Sequence, residues 1–287
     1  MKNAPAVERM SSYHAARCQF RWAFPPETVA PSRDQVHLWK VWLTYAGPEL
    51  QFLEQILASD EQARADRFHF ERDRRRFIAA RGQMRMILAG YVGVSARALI
   101  FSYGARGKPF LREPLEAEAL KFNLSHSGEL ALLAVTRDRD IGVDLEEVRF
   151  LDDDESIAER FFSPRENAAL RAVRQPERLE AFFSCWTLKE AYVKATGDGL
   201  ARPTNSFDVS CEPAHLLGVE GGSQEVSRWS LVKLAPEPGY VGALAVEGQG
   251  WILDCFPNLR SLESTPVNSN SSLRSQEQFE IFTTQSS

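Results

Sequence analysis

No apolar run in the 287-residue sequence approaches the ~20 residues that a membrane-spanning helix requires. Cysteine is scarce: Cys18, Cys185, Cys211 and Cys255 are scattered and form no C-x-x-C pair, so neither a zinc site nor a disulfide framework is signalled. The N-terminus lacks the charged, apolar and small-residue succession of a secretory signal. Net positive charge is missing too. The formal charge is -5, which argues against a general binder of nucleic acid or of membrane surfaces. Together these absences point to a reduced, cytoplasmic setting. What is present is ordinary globular composition, 44% hydrophobic and 25% charged, long enough for one large core or two joined smaller ones. The charge is uneven, however. Residues 64–85 hold Arg64, Arg67, Arg72, Arg74, Arg75, Arg76, Arg81 and Arg85 against Asp66, Glu71 and Asp73, which suits a small anionic ligand or a local docking surface.

Along the chain, Pro25, Pro26 and Pro31 interrupt residues 1–34, which read as an N-terminal extension. The stretch 36–43 (VHLWKVWL) predicts a strand. Ser59-Asp60-Glu61 opens a helical region over 60–70 and 73–91, with its acids near the positive end of the dipole. Strands follow at 99–103, 121–124, 130–136 and 140–145, with a turn expected at Ser125–Gly128. The second half repeats this content: helices over about 155–175 and 177–196, a stop at Gly197 and Gly199, then strands near 206–210, 228–234, 240–246 and 251–255. The pattern predicts α+β lobes over 35–138 and 139–258, packed side by side. From Ser261 the chain is rich in Ser, Asn, Gln and Thr, so residues 259–287 read as a disordered tail.

Four short segments could carry chemistry. In Gly142-Val143-Asp144-Leu145-Glu146, strand alternation puts both carboxylates on one face and Ile141, Val143 and Leu145 on the other. Hard oxygen ligands without cysteine favour Mg2+ or Mn2+; a solvated strand end explains the same residues. On the helix 177–196, Trp186, Glu190 and Lys194 recur every four residues and share a face. Glu190 can serve as a third metal ligand or a general base, and Lys194 can neutralise phosphate. The alternative is a surface i,i+4 ion pair worth ~0.2–0.5 kcal/mol. Asn123-Leu124-Ser125-His126-Ser127-Gly128 reads as a polar turn presenting His126 and a hydroxyl to phosphate, or as a turn with an incidental histidine. Arg106-Gly107-Lys108-Pro109-Phe110 fails as a Walker A loop, with Ser102 and Pro109 at decisive positions, but still offers a cation in a turn.

In this order the four segments resemble the 4'-phosphopantetheinyl transferase superfamily, of the two-lobed type that activates surfactin synthetase (the Sfp type). The family's G-K-P, N-x-S-H-S, G-[IV]-D-x-E and W-[ST]-x-K-E-[AS]-x-x-K patterns stand here as Gly107–Pro109, Asn123–Ser127, Gly142–Glu146 and Trp186–Lys194. Phe161–Glu166 also looks like the segment that precedes the last pattern, and the resemblance covers roughly residues 36–255. It implies a pseudo-twofold pair of α+β lobes with coenzyme A in the cleft between them. By resemblance, Asp144, Glu146 and Glu190 bind Mg2+; Lys108, Ser125, His126 and Lys189 contact coenzyme A; and Arg64 and Arg76 meet its 3'-phosphate. Glu190 and Lys194 are the catalytic candidates. A basic position expected before Arg64 is occupied by Glu61 instead. The implied partner is an apo acyl or peptidyl carrier protein, whose serine accepts the phosphopantetheine as 3',5'-ADP leaves; a monomer is expected, with no nucleic acid or membrane partner. Two rival readings are an arginine-rich nucleic-acid-binding regulatory module and a Mg-dependent nucleotide hydrolase.

Overall fold

The computed structural model describes residues 31–113 and 119–257. Most of the expected N-terminal extension and all of the expected tail lie outside these residues. In the first half, strand β1 (Gln35–Trp42) is followed by helices α1 (Gly47–Gln55), α2 (Ser59–Ala65) and α3 (Glu71–Val92). Strands β2 (Ile100–Tyr103), β3 (Pro109–Glu113), β4 (Leu120–Ser127) and β5 (Leu130–Arg137) complete it. The second half runs through β6 (Ile141–Glu147), α4 (Asp154–Phe161), α5 (Pro164–Ala172), α6 (Glu177–Thr196), β7 (Asp208–Cys211) and β8 (Ala214–Gly218). It ends with α7 (Gly222–Arg228), β9 (Trp229–Leu234), β10 (Tyr240–Glu247) and β11 (Ile252–Phe256). The class is α+β, as the sequence pattern predicts.

Two sheets carry this fold. The first has the order β11-β1-β5-β4, with β11 parallel to β1 and the other pairs antiparallel. The second is β6-β10-β9, antiparallel throughout. Alternation along each strand decides which layer a side chain meets. From β1 and β5, Trp39, Val41, Leu133 and Val135 enter a core with Ile78, Met84 and Leu88 of α3. The intervening Leu38, Leu130, Leu132 and Ala134 turn the other way, against Val143 and Leu145 of β6 and Leu244 and Val246 of β10. The far face of β10, with Ala243 and Ala245, packs on Phe182, Leu188 and Tyr192 of α6. The layers therefore run helix, sheet, sheet, helix. Strand β5 lies in the middle and is buried on both faces, which is why it reads as an unbroken apolar run.

Several local outcomes differ from the sequence pattern, among them helix α1, which it does not predict. The helical stretch expected over 155–175 breaks in two at Ser163. Its hydroxyl accepts the Glu166 N–H at 3.2 Å, and the Glu166 carboxylate accepts the Ser163 N–H at 2.8 Å, a reciprocal cap that starts α5 afresh. Glu61 supplies one half of such a cap at the start of α2, accepting the Ala58 N–H at 2.9 Å, while Ala58 has no side chain to return the bond. Strand β11 leaves the second half and joins the first sheet beside β1.

Helix α6 approaches β6 with nothing between the two backbones. A Cβ built on Gly142 would stand 2.1 Å from Ala191 O and 2.4 Å from Ala195 N. Close helix–strand contact of this kind requires glycine at the crossing point. Gly142→Ala is expected to lower stability by about 1–3 kcal/mol or more, the usual effect of forcing volume into a packed layer. Urea unfolding checks this, and an unchanged midpoint would contradict the backbone contact.

Candidate active site

Strands β4 and β6 belong to different sheets yet run side by side, and polar side chains join them. Asn123 Oδ1 accepts the Val143 N–H at 2.8 Å. Ser125 Oγ donates to Asp144 Oδ1 at 3.0 Å. Ser127 Oγ donates to Glu146 Oε2 at 2.9 Å and accepts the Glu147 N–H at 3.1 Å. Residues 123, 125 and 127 share one face because this segment is strand, with the turn delayed to Gly128. The expected turn at Ser125–Gly128 is corrected accordingly: three polar groups two residues apart find partners along β6 only if the backbone stays extended. Asn123 and Ser127 are thus part of the site framework, and their spacing around Ser125 was the available signal.

Helix α6 covers the other side of β6. Most of it is buried; Trp186, Glu190 and Lys194 form a partly exposed stripe. Lys194 Nζ reaches Asp144 Oδ1 at 2.5 Å and Ser125 Oγ at 2.9 Å. Asp144 is 4% exposed, and its second oxygen, Oδ2, is buried without a hydrogen-bond partner. Burial pushes the Glu146 carboxyl above its ordinary range, with Asp144 adding to the rise and Ser127 and Lys194 opposing it. Burial also raises Glu190, again with Asp144 and Glu146 reinforcing the shift and Lys194 countering it. The structure therefore brings Asp144, Glu146, Glu190, Lys194 and Ser125 into one electrostatically coupled group.

His126 points to the opposite face of β4 from Ser125. Its ring keeps an exposed side, yet its packed surroundings hold its pKa below the usual value, and Lys194, Arg76 and Arg64 add to the lowering. These three cations therefore lie within electrostatic reach of the imidazole. Arg76 faces Glu129 at 3.7 Å, and the Arg64 guanidinium lies over the Phe77 ring at 5.3 Å. Other arginines of the basic stretch have structural partners. Arg74 pairs with Glu54 and Asp66, Arg75 donates to Tyr45 O, and Arg81 and Arg85 are buried on Glu61. This weakens the reading of 64–85 as a continuous nucleic-acid-binding face.

Two of the expected coenzyme ligands, Lys189 and Lys108, have partners within the protein. Lys189 is 1% exposed, with its ammonium 2.5 Å and 2.6 Å from the Glu166 oxygens and 2.6 Å from Phe207 O. One residue along a helix is a turn of about 100°, which carries Lys189 away from the Glu190 face into the body of the second half. Lys108 donates to Ile141 O at 2.9 Å and Ala195 O at 3.0 Å, so its ammonium ties the start of β6 to the end of α6. Burial lowers its pKa to about 8.

The donor chemistry near Asp144 suits a hard divalent cation: carboxylate oxygens, no thiol or imidazole, and one buried oxygen left unpartnered. Among the described residues, no group of three or more His, Cys, Asp or Glu side chains is already arranged to hold a metal ion. In this arrangement Lys194 and Ser125 engage one Asp144 oxygen, and Ser127 engages Glu146. No helix among the described residues is long and apolar enough to cross a membrane.

Buried Asp144, partly exposed Glu146 and Glu190 and the apposed Lys194 form a charged group at the β4–β6 seam, the candidate active site. Comparison with known proteins makes the class specific. The family model described as the 4'-phosphopantetheinyl transferase superfamily matches residues 140–245, and the one described as 4'-phosphopantetheinyl transferase, N-terminal, matches residues 42–138. The 4'-phosphopantetheinyl transferase HetI of Nostoc sp. is 45% identical over 233 residues, covering 81% of this chain and 96% of that protein. The L-aminoadipate-semialdehyde dehydrogenase-phosphopantetheinyl transferase of Xenopus laevis is 31% identical over 67% of this chain and 62% of its own. For the 4'-phosphopantetheinyl transferase Sfp of Bacillus subtilis the figures are 29%, 58% and 71%. The chain belongs to the 4'-phosphopantetheinyl transferase superfamily, and it is a transferase of the phosphopantetheinyl group.

The Lys189–Glu166 pair generates a prediction of its own. Lys189→Met leaves a buried carboxylate unpaired and is expected to destabilise the fold by about 3–5 kcal/mol. Chemical denaturation measures this; wild-type stability together with a raised KM for coenzyme A would return Lys189 to the ligand site.

Proposed function

We propose that this enzyme moves the phosphopantetheine arm of coenzyme A onto the serine hydroxyl of an apo acyl or peptidyl carrier protein, with 3',5'-ADP as the leaving group. The observation that carries this is the coupled group of Asp144, Glu146, Glu190 and Lys194 at the β4–β6 seam, with Ser125 and His126 on the adjoining strand. The serine oxygen bonds to the β-phosphorus of the pyrophosphate as the bond from that phosphorus to the bridging oxygen breaks. The hydroxyl proton passes to Glu190, whose basicity is raised by burial and by the neighbouring Asp144 and Glu146 carboxylates. Lys194 lies beside the carboxylates and balances charge on the departing 3',5'-ADP. Ser125 and His126 meet the coenzyme phosphates, and Arg64 and Arg76, whose charge His126 senses, take its 3'-phosphate. Asp144, Glu146 and Glu190 would hold a magnesium ion, which supplies positive charge against the pyrophosphate when bound. The nucleophile belongs to the carrier, so the enzyme needs no activated Ser or Cys of its own.

Two measurements test the reading. Incubating a panel of apo-carrier proteins with enzyme, coenzyme A and magnesium, followed by mass spectrometry, should show a phosphopantetheine mass gain on at least one carrier. Consumption of nucleotide without any such gain would favour the hydrolase. Glu190→Gln should retain the fold and lower turnover by ~10²–10⁴, the usual effect of losing a general base. Near-normal turnover would remove Glu190 from that role.

A further inference from the structure

The hairpin loop between β2 and β3 meets the C-terminal end of α6 at several points. Helix α6 stops at Gly197, which takes a left-handed conformation (φ 73°) and donates its N–H to Val193 O at 3.1 Å. The last carbonyls of a helix have no partner within it. Here Ala195 O accepts from Lys108 Nζ, and Asp198 O accepts from Arg106 Nη1. Lys108 also donates to Ile141 O at 2.9 Å, immediately before Gly142, where the two backbones touch. Gly199 is also left-handed (φ 53°), and a Cβ built on it would stand 3.5 Å from the Arg106 Cβ. Lys108 thus satisfies one of the last carbonyls of the helix, an arrangement the helix dipole favours, while Arg106 holds the carbonyl of Asp198 just past the helix end, where the next turn begins.

We infer that Lys108 and Arg106 are positioning residues, which fix the end of α6 against β6 and thereby hold Lys194 on Asp144. This rests on the transferase reading and assigns Lys108 a role other than gripping coenzyme A phosphate. Lys194 immediately precedes Ala195, the residue Lys108 holds, so a shift of that carbonyl moves the Lys194 backbone with it. A misplacement of about 1 Å costs about 10²-fold in rate when a reacting group depends on the geometry.

The test uses Lys108→Met, Lys108→Arg and Arg106→Ala in the full chain. Steady-state kinetics of carrier modification should show kcat reduced by about 10²-fold in Lys108→Met while KM for coenzyme A stays within about twofold, the signature of lost transition-state alignment rather than lost ligand binding. Lys108→Arg, which keeps a donor at that position, should recover part of the loss. Hydrogen exchange on the enzyme alone, without substrates, should quicken at residues 193–199 in both Lys108→Met and Arg106→Ala, with β1 and β5 unchanged. Arg106 is exposed, so its variant keeps the test open if Lys108→Met unfolds. A rise in KM of tenfold or more with unchanged kcat and unchanged exchange overturns the inference in favour of a phosphate ligand. Unaltered exchange in Arg106→Ala overturns it as well. Should the wild-type enzyme modify no carrier, the functional reading fails, while the exchange experiment still decides whether the clamp exists.

Discussion

Helix α6 rests on strand β6 with backbone against backbone at Gly142, and the positions of Asp144, Glu190 and Lys194 follow from that contact. A side chain at the crossing point would lift the helix and separate groups whose interaction depends steeply on distance. The close approach also determines what else the helix must do. Away from its partly exposed stripe the helix is buried, so solvent cannot satisfy Lys189, which instead meets the capping carboxylate of α5. That single carboxylate starts one helix, neutralises another and accepts the N–H of Val209 at 2.8 Å. The second half is therefore knit around two buried ions that take no part in the proposed chemistry.

The seam between the sheets follows a different physical rule. Apolar packing supplies most of the contact between the two sheets, through Leu132, Leu145, Leu244 and their neighbours. At the edge where β4 meets β6, serine and asparagine side chains replace a backbone ladder. Side chains reach farther than backbone groups and leave room between strands. They also set the carboxylates in fixed orientations, a preorganisation that a solvated strand end does not provide. Carboxyl groups crowded in this way repel one another, and Lys194 lowers this cost at Glu146 and Glu190, joined at Glu146 by Arg149.

Much of this was legible in the sequence, for physical reasons that differ by element. The alternation in 141–146 separated the carboxylates from the apolar face, and the four-residue recurrence of Trp186, Glu190 and Lys194 marked the accessible stripe on α6. Both rest on simple periodicity. The polar run 123–127 misleads because serine, asparagine and histidine favour turns by composition, whereas here Asn123, Ser125 and Ser127 are satisfied across the seam by tertiary partners. By their place in a motif, Lys189 and Lys108 read as coenzyme A contacts. Their actual partners, Glu166 and two backbone carbonyls, are distant in sequence and leave no local trace. The arginine-rich stretch reads as one surface because charge along a chain says nothing about which guanidinium groups become internal.

The parallel pairing of β11 with β1 has a consequence for biogenesis. Residues 252–256 complete a sheet whose other members all lie before residue 138. During synthesis, β1 therefore waits with one open edge until nearly the whole described chain has emerged, and such edges invite association with other chains. His37, Trp39 and Phe256 gather their rings across this late junction. The two halves are thus poor candidates for separate expression: a fragment cut between β5 and β6 lacks its fourth strand, and its partner fragment carries an orphan one.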